Sequence, residues 1–241
     1  MRKANLSAEP FEEQVRRKNF VDNSLFIKDI IENEERVTIF KRSRRFEKAS
    51  IISMLHNFFD SSKDSRDLFN RLNIMEHSNI IDRYLNKYPV IYLNINCVRG
   101  INYDAFVTKM SILIAELYQE HEYITQKDIL SKPYKDMFRL FRRIMATEAD
   151  LELSLTFLCR CLMKYYEKEV IVLLDEYDVP IDHSIKLGYY HETARFMDEF
   201  LGSVFNNNEC LKFGILTSVN GDSHIENNIK CVDRSDILER Y

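Results

Sequence analysis

Tryptophan is absent from this 241-residue chain, and glycine and proline are scarce, at 5 and 4. A chain so poor in both is neither collagen-like nor low-complexity, since those classes are built on them. No apolar run approaches the ~18 residues that a membrane-crossing helix needs. After Met1-Arg2-Lys3 the N-terminus turns polar and acidic, without the apolar core of a signal peptide. The cysteines, Cys97, Cys159, Cys161, Cys210 and Cys231, are odd in number and form no Cys-x-x-Cys pair. Several lie in apolar runs, which predicts buried free thiols in a reducing, cytoplasmic setting. On a helix, Cys159 and Cys161 point to different faces, which argues against a shared metal or disulfide. The 6 histidines are dispersed, with no second ligand at metal spacing. A formal net charge of -4 argues against a generic nucleic-acid coat.

What is present is an ordinary globular composition, 45% hydrophobic and 30% charged, with a length suited to one large domain. Four continuously apolar or β-branched runs predict buried strands: Val37–Phe40, Val90–Ile95, Val170–Leu174 and Phe213–Thr217. Between them lie helical patterns. Ile51, Ile52, Leu55, Phe58 and Phe59 follow Lys48 at helical spacing, and Phe106, Met110, Leu113, Ile114 and Leu117 repeat the pattern. Leu151 to Tyr166 and Tyr190 to Phe205 are further helices. Phe138-Arg139-Leu140-Phe141 reads as helix core with charged outer faces, and Glu116 to Glu122 as a solvated helix face. Strands alternating with helices predict an α/β fold with a mainly parallel sheet flanked by helices on both faces. Ligands of such sheets sit beyond the carboxyl ends of the strands.

Two segments occupy such ends. Val170 to Leu174 runs into Asp175-Glu176-Tyr177-Asp178-Val179-Pro180, where Pro180 is expected to turn the chain away. In nucleotide hydrolases the first acid at such a position holds magnesium through its water shell, and the second polarises the attacking water. A plain acidic surface loop is the alternative. Downstream, Thr217 supplies a hydroxyl that reaches either a terminal phosphate and its attacking water or merely the next turn. Upstream, Val37-Thr38-Ile39-Phe40 leads through Lys41 to Ser50 into a helix, the order of a phosphate-binding loop. Such a loop needs inward backbone N–H groups, glycine for close approach, a lysine, and a hydroxyl for magnesium. Lys48 supplies the lysine. Arg42 and Glu47 stand where glycines belong, and Ala49 where the hydroxyl belongs, which leaves Ser50 one residue out of register. A carboxylate at 47 obstructs and repels a triphosphate.

Together these residues resemble a bacterial AAA-ATPase-like family often fused to a PD-(D/E)XK nuclease-like domain, and hence a P-loop NTPase-like fold. Phe20 to Lys28 looks like its "YVDKT–LI" opening, and Arg42 to Lys48 like its "RPRRFGK" loop. Val170 to Ile181 resembles its "VLIDEYDxPI" segment, and Leu216-Thr217-Ser218 and Asn227-Asn228 resemble its "LTG" and "NN" positions. The resemblance implies one domain over residues 1–241, without the family's C-terminal lid and nuclease-like region. It implies ATP and magnesium, with Arg42, Arg44, Arg45, Lys48 and Ser50 around the nucleotide, Asp175 on the metal, and Asp175, Glu176 and Thr217 as the catalytic set. Departures at Ser43, Glu47, Ala49 and Ser218 predict impaired or absent hydrolysis and a regulatory role. The alternative is a catalytically dead interaction protein, from a phage or mobile element, that binds a host complex. The basic run Arg36, Lys41, Arg42, Arg44, Arg45 and Lys48 offers nucleic acid a third reading.

Overall fold

The computed structural model describes residues 11–41, 45–220 and 223–235, with backbone alone at 45–49 and 223. Among the described residues, five strands form one sheet: β1 Val37–Lys41, β2 Val90–Asn94, β3 Val170–Asp175, β4 Leu211–Ser218 and β5 Val232–Asp233. Their order is β2-β3-β4-β1-β5, and every pairing is parallel. The helices before β2 are α1 Phe11–Gln14, α2 Leu25–Glu32, α3 Arg45–Phe59, α4 Arg66–Phe69 and α5 Ser78–Tyr84. After β2 come α6 Tyr103–Glu120, α7 Lys132–Arg142, α8 Glu148–Glu152 and α9 Ser154–Tyr166. Then follow α10 Val179–Leu187, α11 Tyr190–Phe205 and α12 Ser223–Asn228. The helices cover both sheet faces, as the unbroken apolar strands require. Val172 and Leu174 of β3 look into a core with α6, α9 and α11, whereas Ile171 and Leu173 look into one with α2 and α3.

The four expected strands form within two residues of their anticipated ends. The fifth, two exposed residues long, carries no apolar run by which to find it. The helix expected over Leu151 to Tyr166 divides at Leu153. Thr147 starts α8 with a reciprocal capping box to Asp150, and the buried Ser154 hydroxyl donates back to the Leu151 carbonyl at 2.6 Å. Pro180 does not turn the chain away. It lies in the first turn of α10, where its missing N–H leaves no helical bond unmade. Cys159 and Cys161 are buried free thiols, but Cys97 is exposed.

The loop after β2 must pass close under α6. A Cβ on Gly100 would lie 2.3 Å from the Phe106 backbone nitrogen, so only glycine fits there. Asn102 then caps α6, accepting the Ala105 N–H at 2.9 Å.

Candidate nucleotide site

Asp175 ends β3 at the carboxyl edge, paired in register with Asn94 of β2. Both its oxygens are gripped by the neighbouring strands. The Asn94 side-chain amide donates to Oδ2 at 2.8 Å, and the Thr217 hydroxyl donates to Oδ1 at 2.5 Å. Thr217 in turn accepts the Glu176 N–H at 3.2 Å, and its carbonyl accepts the Tyr177 N–H at 3.2 Å. Thr217 therefore closes the strand end by bonding the acid and the backbone beside it. Asp175, Glu176, Asp178 and Thr217 are all buried, so the segment is not a solvated acidic loop.

Glu176 stands at φ +55°, the left-handed region that disfavours residues with a Cβ. Such a conformation costs on the order of 1 kcal/mol and persists only where its surroundings hold it. Here the bonds of Thr217 to residues 175, 176 and 177 do so. Asp178 has a different task, its Oδ2 accepting the Val219 and Asn220 N–H groups at 2.8 and 2.9 Å. Asp178→Ala removes two charge-assisted bonds, and is expected to lower stability by about 2–3 kcal/mol. Urea denaturation reads this directly; an unmoved midpoint would deny Asp178 its part in holding the loop after β4.

A second network ties the C-terminal helix to the same edge. The Tyr177 hydroxyl donates to Glu226 Oε1 at 2.7 Å, while Lys41 Nζ lies 2.6 Å from Glu226 Oε2 and 3.1 Å from Asp233 Oδ2. Partial burial opposes the Lys41 charge, but the bonds to Glu226 and Asp233 outweigh it and raise its pKa above the usual lysine value. Lys41 is thus committed to α12 and β5. Arg36 lies at the other end of β1, about 16 Å away at ~3.3 Å per residue, and donates to the Asn208 carbonyl at 2.6 Å. The strand thus separates Arg36 from Lys41, the two members of the basic run whose side chains are described.

Of the loop, Arg42 and Arg44 lie outside the described residues. Arg45 is the first residue of α3 and Lys48 falls in its first turn, so the helix begins before Lys48 rather than after it. First-turn N–H groups have no partner within the helix, which places donors and the positive end of the helix dipole at this point. α3 then packs beneath β3 and β2. Ser50 faces α1, its hydroxyl donating to Gln14 Oε1.

Asn94 and Glu226 were missed by sequence reasoning. Asn94 carries the same signal as Asp175, a polar residue closing an apolar strand; Glu226 carries none until α12 is folded against Tyr177. Nearby, His56 Nε2 lies 3.0 Å from Asp60 Oδ2 and its ring stacks on Tyr92 with centroids 5.3 Å apart. Burial lowers the pKa of His56. Burial also takes His121 down to about 4. Among the described residues, no group of three or more His, Cys, Asp or Glu side chains could hold a metal ion. No helix among them is long and apolar enough to cross a membrane.

A family model described as "Predicted AAA-ATPase" matches residues 9–223, a span that takes in Lys48, Asn94, Asp175 and Thr217. In comparisons with curated proteins and with solved structures, nothing matches.

Proposed function

This chain belongs to the predicted AAA-ATPase family, and we propose that it is an ATP-binding module with impaired or absent hydrolysis, acting as a regulatory domain in bacteria or their mobile elements. The observation that carries the reading is the fixed carboxylate of Asp175, held by Asn94 and Thr217 at the carboxyl end of a parallel sheet. Two strands from β3, beyond β4, β1 leads to the N-terminus of α3. An oriented acid opposite a helix N-terminus that carries a lysine suits magnesium and a triphosphate. In this reading residues 1–241 form one such module. Lys48 meets the phosphates, with Arg42, Arg44 and Arg45 around them, and Asp175 holds the water shell of magnesium. Glu176 is the second acid, the one that polarises water. Magnesium supplies charge neutralisation when bound; the residues named here only bind and orient. Ser50 is weaker support as a ligand, because its hydroxyl is engaged with Gln14. Thr217 acts through Asp175 rather than on the nucleotide.

The impairment rests on two residues of the sequence. Glu47 puts a carboxylate where the backbone must approach the phosphates, and Ala49 offers magnesium no hydroxyl. The same pair supports the second reading, a fold retired from catalysis that binds a partner protein. A gain-of-function variant tests the assignment. Glu47→Gly with Ala49→Ser is expected to tighten ATP binding in magnesium by at least about tenfold, measured by calorimetry. Unchanged affinity would mean that the phosphates do not lie at this loop.

A further inference from the structure

β2 is the last strand of the sheet on the side away from β5. The Pro89 carbonyl accepts the Ile171 N–H and the Ile95 N–H donates to the Asp175 carbonyl, both at 3.0 Å. Backbone groups of this parity face β3, so those of Tyr92 and Asn94 face outward. Among the described residues, nothing hydrogen-bonds the N–H or C=O of either. Lower down, the neighbouring position is filled: Asp60 pairs with Tyr88, Ser61 N–H donates to the Tyr88 carbonyl at 2.8 Å, and Tyr88 N–H to the Phe59 carbonyl at 3.0 Å. The edge is therefore continued by residues 59–61 and left open where it reaches Tyr92 and Asn94.

Edge strands are ordinarily shielded by lysine, by a bulge, or by a covering segment. Val-Ile-Tyr-Leu-Asn has no lysine and pairs with β3 in even register. Instead the edge borders a cavity of about 80 Å³ between β2 and α6. Leu113 and Leu117 give it an apolar wall, and the exposed Glu116 and Glu120 give it acids on the same side. Although Glu120 is exposed, partial desolvation of its carboxyl beside the groove, followed by the charge of Glu116, raises its pKa.

We propose that the open edge of β2 at Tyr92 and Asn94 docks an extended, lysine- or arginine-bearing segment of a partner protein, which joins the sheet as an added strand. Backbone bonds supply the pairing, and alternate side chains of the segment meet the leucines and the glutamates. Charge selects the occupant. A second copy of this chain brought edge to edge would set its own Glu116 and Glu120 against this pair, whereas a basic segment neutralises them. The docking site stands independently of nucleotide binding, but it borders that site, because Asn94 also holds Asp175.

The test uses the full chain and a fluorescent hexapeptide of alternating lysine and valine, read by anisotropy. The peptide is expected to bind, and a glutamate–valine counterpart is not. N-methylation of alternate peptide amides is expected to weaken binding by at least about tenfold, as is the exposed-site pair Glu116→Lys with Glu120→Lys. Hydrogen exchange at the Tyr92 and Asn94 amides is expected to slow in the complex. Absence of binding overturns the proposal, and so does binding that N-methylation leaves intact, which would be charge attraction alone. A dimer of the chain that the peptide dissociates overturns it too, by giving the edge to a second copy.

Discussion

Thr217→Val is expected to lower folding stability by about 3–4 kcal/mol, read from the urea midpoint at unchanged slope. Valine keeps the shape of threonine but not its hydroxyl, so the effect isolates two hydrogen bonds. One is charge-assisted, to Asp175 Oδ1, and the other receives the Glu176 N–H. Both partners are buried, and a buried group that loses its bond pays its desolvation in full. Glu176 also loses the contact that holds its left-handed backbone. Thr217→Ser keeps the hydroxyl and loses one methyl, so it is expected to recover all but about 1 kcal/mol. If the valine and serine variants unfold at the same midpoint, the hydroxyl is not what fixes Asp175.

Acid is expected to destabilise the fold well before its carboxylates titrate. The His121 imidazole is half-buried, and its desolvation disfavours the charged form; nearby Asp60 opposes this and His56 adds to it. Its folded pKa of about 4 lies below the ordinary histidine value of 6.5, so between those limits the unfolded chain binds the proton and the folded chain does not. Stability from this group is therefore complete above pH 6.5, is lost as pH falls toward 4, and changes no further below that. The full shift corresponds to roughly 3 kcal/mol. His56, lowered in the same direction by burial, steepens the same window. Asp60 acts elsewhere: its pKa is depressed below 3.8, against its own burial, by the bonds to His56 and Ser62, so its share is lost only in stronger acid. His121→Gln is expected to flatten stability between pH 6.5 and 4; an unaltered slope would move the burden to other groups.

The strands were legible because burial on both faces writes itself as unbroken apolar runs. Val170 to Leu174 could be nothing else, and its acidic end marked the site edge. What the runs could not show was the company that edge keeps. Asn94 and Thr217 meet Asp175 only because the strand order places β2 and β4 on either side of β3. Sequence distance hides this, since the partners lie 81 and 42 residues away. Lys41 misled for the same reason. In sequence it extends a basic run, but folding delivers it to Glu226 and Asp233. Pro180 read as a stop because helix-breaking is its commoner effect, although in a first helical turn the ring is harmless. The short β5 was invisible because two exposed residues carry no periodicity.

The central claim is that Asp175 and the N-terminal turn of α3 form one nucleotide site. Calorimetry of the intact chain with ATP and magnesium, with Lys48→Ala beside it, tests this most directly. Measurable heat is expected with the natural chain, and affinity at least about tenfold weaker for the variant. No heat at millimolar ATP, or equal binding by Lys48→Ala, would contradict it.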